Sequence, residues 1–348
     1  MTRADDEELL EVMEAAAMEA AEAADAAELA GAAPAPGTHR SAWGEAHAKA
    51  ILLGEHSVVY GRPAIAVPVP TLRTVARVDE EPGGPILLGL DGDVIEIGEL
   101  PDRLASIGEA IRITLRRFGL PESGVLIRLR SGIPAAAGLG GSAAVAHAVV
   151  EAIRDYAGGE LTERERFDLV QAAERIAHGS PSGLDATATR ATCPVHFQGG
   201  ETTPLPVGAR MWVVLGDTGV RGSTSLAVAK VRGHVTSRPE RGEKLLDRLG
   251  ALTDAAAGDL ARGDVAALGS RMDAAQVVLD ELGVGHPALT ALVAAARGAG
   301  AAGAKLTGSG CGGCVLALAE TAEAAERIAH AMTEANAVAT WMMEVDPA

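Results

Sequence analysis

Short apolar blocks alternate with polar ones along most of this 348-residue chain, and the blocks differ in period. Ala50-Ile51-Leu52-Leu53 and Ala64-Ile65-Ala66-Val67 are apolar runs set off by glycine, the pattern of buried strands joined by tight turns. Val125-Leu126-Ile127-Arg128-Leu129 reads as a further strand. It leads through Ser131-Gly132-Ile133-Pro134 into a glycine cluster and then a helix over residues 143–156, ended by Gly158-Gly159. A second helix is predicted over 163–178, a strand over 211–215 and a helix over 223–233. Helices follow over 241–262, 264–282 and 287–298. A Gly-rich run at 305–313 precedes a strand at 315–319, a helix at 321–335 and a last strand at 338–345. Strands and helices are mixed in both halves, which predicts an α+β fold. No repeat of fixed period is present.

The beginning of the chain differs. Residues 4–31 are rich in Ala, Glu and Leu, all good helix formers, and the run breaks at Ala-Pro-Ala-Pro-Gly over 33–37. Residues 1–37 carry ten acidic side chains against one basic, Arg3, so they are read as an acidic, solvated extension and linker. The expected organisation is that extension at 1–37, a first domain at 38–205 and a second at 206–348.

Composition narrows the classes. Apolar residues make up 48% of the chain, too many for disorder, and aromatic residues only 2%, so the core must be built from Ala, Val, Leu and Ile. The net charge of −17 argues against a nucleic-acid or anionic-membrane partner. No stretch of about 18 strongly apolar residues predicts a membrane span, and the acidic start does not read as a secretory signal. Three cysteines make no disulfide framework, which points to a cytoplasmic setting.

Several short motifs lead elsewhere and fail on context. Gly138-x-Gly140-x-x-Ala143 imitates a dinucleotide fingerprint, but Pro134 and three alanines separate it from the strand. Gly308-x-Gly310-x-x-Gly313 runs into a strand, not a helix. Asp217-Thr218-Gly219 occurs once, whereas aspartic-protease chemistry needs two such carboxylates. Cys193-x-x-His196 and Cys311-x-x-Cys314 have zinc-like spacing, yet small packed thiols explain the second pair. A Walker-type phosphate loop is absent.

Three segments carry chemistry. In the first, Pro134, Gly138, Leu139, Gly140, Gly141, Ser142 and Ala143 lie on a glycine-rich turn entering a helix. Backbone N–H groups and the helix dipole there suit phosphate, and the Ser142 hydroxyl can reach a metal or a phosphate oxygen. In the second, Glu174 and Asp185 stand eleven residues apart across a Pro-Ser-Gly turn; one can hold Mg²⁺ while the other accepts a proton. The third, 305–314, is a concave run of backbone donors around Gly308 and Gly310, suited to lining a nucleotide or substrate cleft.

With 46–61, which contains Lys49-Ala-Ile-Leu-Leu-Gly-Glu55-His56-Ser-Val-Val-Tyr-Gly61, these segments resemble the GHMP kinase superfamily in order and spacing over roughly residues 44–345. The 46–61 text, His178-Gly-Ser-Pro-Ser-Gly-Leu-Asp185 and Asp217-Thr-Gly-Val-Arg221-Gly-Ser-Thr224 resemble its bacterial mevalonate-phosphorylating branch. The resemblance implies a two-domain fold, with an N-terminal domain like domain 2 of ribosomal protein S5 and a ferredoxin-like C-terminal domain. It implies ATP-dependent phosphorylation of the C5 hydroxyl of (R)-mevalonate, with ATP and Mg²⁺ as cofactors, and a homodimer. Asp185 would be the base, Lys49 its cationic partner, and Ser142 and Glu174 the Mg²⁺ ligands. Glu55, His56, Asp185 and Thr224 would meet the substrate, and the 134–143 loop with Gly308 and Gly310 the nucleotide. His178 would order the turn before Asp185. One departure is that Gly141 stands where the family usually has a first serine. Rival readings are a phosphomevalonate or homoserine kinase, or a non-catalytic sensor of the same fold.

Overall fold

Two sheets, joined along the strand that begins the globular chain, position everything that follows. The computed structural model describes residues 41–347 apart from Asp91, so the acidic extension expected over 1–37 lies outside the described residues. The first sheet holds β1 (Ala42–Leu53), β2 (Ala64–Glu80), β3 (Ile86–Leu90), β4 (Asp93–Glu96), β5 (Val125–Ser131), β6 (Val195–Gln198) and β7 (Glu201–Pro204). Its order is β4-β3-β5-β2-β6-β7, with β1 running antiparallel along β2; β3 and β5 are parallel. The second sheet is antiparallel: β8 (Met211–Asp217), β9 (Gly303–Thr307), β10 (Cys314–Ala319) and β11 (Ala339–Val345), ordered β11-β8-β10-β9.

The two apolar runs seen in the sequence are fragments of longer strands. β1 alternates at its start, where one face meets solvent, and is buried on both faces from Ala48 to Leu53, so only its end reads as a continuous apolar run. β2 extends to Glu80 although Pro68 and Pro70 interrupt it. Both prolines fall between the stretch paired with β6 (64–66) and the stretch paired with β5 (74–80), where β2 has β1 on one side only. A missing N–H is tolerated on such a local edge.

Nine α-helices occur among the described residues. They are α1 (Ala105–Arg117), α2 (Gly141–Ala157), α3 (Glu163–His178), α4 (Leu184–Ala188), α5 (Thr224–Ser237), α6 (Pro239–Arg262), α7 (Val265–Glu281), α8 (Pro287–Gly298) and α9 (Ala322–Glu334). The predicted 163–178 and 287–298 match α3 and α8 at both ends because their stop and start signals are local. Thr162 and Glu165 form a reciprocal capping box, and Pro287 fills the first turn of α8. β3, β4, β6, β7, α1 and α4 have no counterpart in the sequence reading. Lys305 and Thr307, read as part of a loop, are in β9. Among the described residues, no helix is long and apolar enough to cross a membrane.

The core follows the composition: among the described residues Phe197 is the one buried aromatic, and Ala, Val, Leu and Ile, with four methionines and Cys314, fill the rest. One cluster packs α1, α2 and α3 on β2, β3 and β5. The larger one unites Leu52, Leu53, Ile65 and Val67 with Val213, Leu215, Leu306 and Leu316 of the second sheet. A side-chain tie seals this joint. Thr307 Oγ1 accepts from Ile51 N at 2.8 Å and donates to Ile51 O at 3.1 Å.

Candidate active site

The glycine cluster after β5 becomes a turn because its backbone takes left-handed angles at Gly138 (φ 82°) and Gly140 (φ 74°), which favour glycine. Gly140 has a second reason. A Cβ there would lie 3.0 Å from Lys49 Cε and from Thr189 Cγ2, so the missing side chain lets the lysine stem cross the turn. α2 then starts at Gly141 and sets Ser142 in its first turn, where unpaired N–H groups and the helix dipole favour an anion.

Lys49 enters from β1, only 2% exposed. Its Nζ donates to Gly138 O at 3.0 Å and lies 3.3 Å from Asp185 Oδ1. Its backbone N donates to Leu139 O at 3.0 Å, so the strand and the turn are fastened at two levels. Asp185 lies in the first turn of α4 and is about one-third exposed, so its carboxylate faces both the ammonium and solvent. α4 is anchored to β1 by His47 N donating to Thr189 O at 3.2 Å, while Thr189 Oγ1 donates to Asp185 O at 2.9 Å.

Glu174 projects from α3 and is 2% exposed. Burial, then the negative charge of Asp185, pushes its pKa up to about 7; Ser142 and Lys49 oppose the rise. Its Oε1 is buried with no hydrogen-bond partner. His178, the last residue of α3, brings Nε2 to 3.2 Å from Ser142 Oγ and 3.7 Å from Glu174 Oε2. The histidine expected to order a turn therefore bridges the hydroxyl and the carboxylate. Burial holds its pKa below the ordinary value.

Ser142 and Glu174 offer hard oxygen donors, and one oxygen is an orphaned buried acceptor, which fits a magnesium ion. Among the described residues no group of three or more His, Cys, Asp or Glu side chains could hold a metal alone. The fit is to an ion that arrives with phosphate oxygens, the usual mode for magnesium.

The 308–313 run lies against the first turn. A Cβ on Gly308 would stand 2.6 Å from Gly138 Cα, so the two loops touch backbone to backbone. Gly310 is in the same run at φ 70°. The 217–223 loop closes on it: Thr218 Oγ1 donates to Gly313 O at 2.7 Å, and Gly313 N to Val220 O at 2.8 Å. Asp217, tempting as a protease residue, is buried and holds Arg221 Nη1 through both oxygens, at 3.0 and 2.7 Å. Cys314 is packed inside β10, where burial pushes its thiol pKa up.

Three further expected substrate contacts have partners of their own or none in this group, although the charge of Lys49 still reaches Glu55. Glu55 is fully buried and paired with the equally buried Lys305 of β9, an ion pair that the sequence reading missed. Burial raises the carboxyl pKa and lowers that of the ammonium, each partner opposing the shift in the other. His56, at φ 61°, donates from Nε2 to Ser309 O at 2.9 Å. Thr224 is exposed at the first residue of α5 and, among the described residues, shares no hydrogen bond with Lys49, Ser142, Glu174 or Asp185.

Known proteins are similar to this chain over most of its length. Residues 105–191 match the GHMP kinases N terminal domain and 256–338 the GHMP kinases C terminal domain. A mevalonate kinase of Thermococcus sibiricus is 38% identical over 295 residues, covering 79% of this chain and 88% of that protein. One from Pyrococcus horikoshii is also 38% identical, over 79% and 87%. The crystal structure of L. major mevalonate kinase in complex with R-mevalonate superposes with a TM-score of 0.77 at 26% identity, covering 89% of this chain and 97% of that one.

Proposed function

The chain belongs to the GHMP kinase family, and on that premise we propose that it transfers the γ-phosphoryl group of ATP to the C5 hydroxyl of (R)-mevalonate. One observation carries the mechanism. β1, α2, α3 and α4 bring an ammonium, a hydroxyl and two carboxylates, distant in the sequence, into one group around the glycine turn.

An aliphatic alcohol is a weak acid, so attack on phosphorus is helped by a base. Asp185 accepts the C5 hydroxyl proton as the oxygen approaches the γ-phosphoryl. Lys49, 3.3 Å away, stabilises negative charge on the attacking oxygen. The turn at 138–142 and the first turn of α2 hold the phosphates by backbone N–H groups. Ser142 and Glu174 would hold Mg²⁺, which would supply neutralisation of the negative charge on the phosphates. Gly308 and Gly310, against that turn, complete the nucleotide wall.

An unphosphorylated acceptor is favoured over phosphomevalonate. A second phosphate calls for free basic groups near the acceptor, and Arg221, the basic residue of the 217–224 loop, is held by Asp217. ADP release measured over a panel of alcohols tests the proposal: (R)-mevalonate is expected to be the preferred acceptor. Turnover only with phosphomevalonate or homoserine, or none with any, overturns it.

A further inference from the structure

The run 143–150 of α2 is apolar except for His147. That side chain is 2% exposed, and its Nε2 lies 2.6 Å from the carbonyl oxygen of Ala186, the residue after Asp185. Against a carbonyl the nitrogen must carry the proton, so His147 donates. Burial lowers its pKa to about 4, which keeps the ring neutral at physiological pH.

The accepting carbonyl needs a donor. α4 has only five residues, too few to pair its own last carbonyls. Beyond it the chain tightens: Arg190 N turns to Thr187 O, three residues back, instead of to Ala186. Leu184 and Ala188 pack the helix into the core, whereas Ala186 offers a single methyl group and a recess of about 220 Å³ opens beside it among Phe167, Thr187 and Arg190. The same helix α2 presents Ser142 from its first turn.

We propose that His147 is a positioning residue: through the Ala186 carbonyl it locks the short helix in the register that turns Asp185 toward Lys49, coupling the base to the helix that carries Ser142. This rests on the kinase reading with Asp185 as base. A misplacement of about 1 Å in a reacting group costs on the order of 10²-fold in rate.

The test compares three variants, with active sites counted by binding of a fluorescent ATP analogue and folding followed by circular dichroism. His147→Leu removes the donor, and kcat per nucleotide site is expected to fall about 10–100-fold, with both KM values within about threefold. His147→Gln can place an amide N–H where Nε2 stood and is expected to keep kcat within about threefold of wild type. His147→Asn, too short to reach, is expected to be as slow as Leu. If Leu does not fold, the Gln–Asn pair decides. Equal rates for Gln and Asn overturn the inference, as does a folded Leu variant of unchanged kcat. Failure of the wild type itself to phosphorylate mevalonate overturns the functional reading instead, which separates the two.

Discussion

Lys49 and Lys305 sit on strands that touch at Ile51 and Thr307, and each faces one carboxylate, yet the two pairs have opposite characters. Lys305 and Glu55 are fully buried, closed inside the joint between the sheets. Lys49 is nearly as buried, but its partner Asp185 is about one-third exposed, and the ammonium also donates to the Gly138 carbonyl. In a pair closed off from water each partner depends on the other, since removing one leaves a charge without water, and one oxygen of Glu55 already has no hydrogen-bond partner. A pair with one open carboxylate can exchange a proton with an incoming hydroxyl. Solvent access, not residue type, separates the two pairs.

The largest expected effect tests the open pair. Asp185→Asn should lower kcat about 10²–10⁴-fold in steady-state assays with little change in unfolding midpoint. A rate near wild type would remove the distinction. The sealed pair should respond in the opposite sense. Lys305→Met should cost about 3–5 kcal/mol in denaturant unfolding, and Glu55→Leu added to it should recover most of that loss. If the double variant is no more stable than the single one, the pair is not isolated as described.

Next in size is a pH effect at the open site. Glu174 binds its proton more tightly folded, at about 7, than its ordinary carboxyl value of 4.5. Its contribution to stability is therefore complete below about pH 4.5 and is lost as the pH rises through 7, up to about 3 kcal/mol in all. Unfolding free energies measured without divalent ions should show this fall in the wild type relative to Glu174→Gln. Parallel pH profiles of the two proteins would contradict it.

The smallest effects separate two adjacent glycines. Gly140→Ala should cost about 1–2 kcal/mol and lower activity, because the residue is left-handed and its Cβ would meet the Lys49 stem. Gly141→Ser should change stability by less than about 0.5 kcal/mol, since a Cβ there meets only Ile133 Cγ2 at an ordinary 3.5 Å. Thermal unfolding of the pair and the KM for ATP check both.

Much of this molecule is legible in the chain. Capping residues, Pro287 and the period of apolar positions locate the helices of the second half, because those signals act within a turn or two. The glycine turn, Ser142 and the carboxylates Glu174 and Asp185 can be picked out by chemistry, and resemblance supplies Lys49. The short strands β4 and β7 are mostly exposed, so no apolar alternation marks them. Pro68 and Pro70 hide the length of β2.

The sequence alone determined the class of elements, the aromatic-poor core and the residue types needed for phosphoryl transfer. Tertiary structure decided which lysine meets which carboxylate: Glu55 and His56 turn toward β9 and Ser309, His178 bridges Ser142 and Glu174, and His147 reaches behind Asp185. Local propensity acts over a few neighbouring residues, whereas these pairings span 36 to 253 positions, apart from the helical turn between Glu174 and His178. Burial at the joint of two sheets, which no single segment encodes, then leaves one charged pair sealed and the other open.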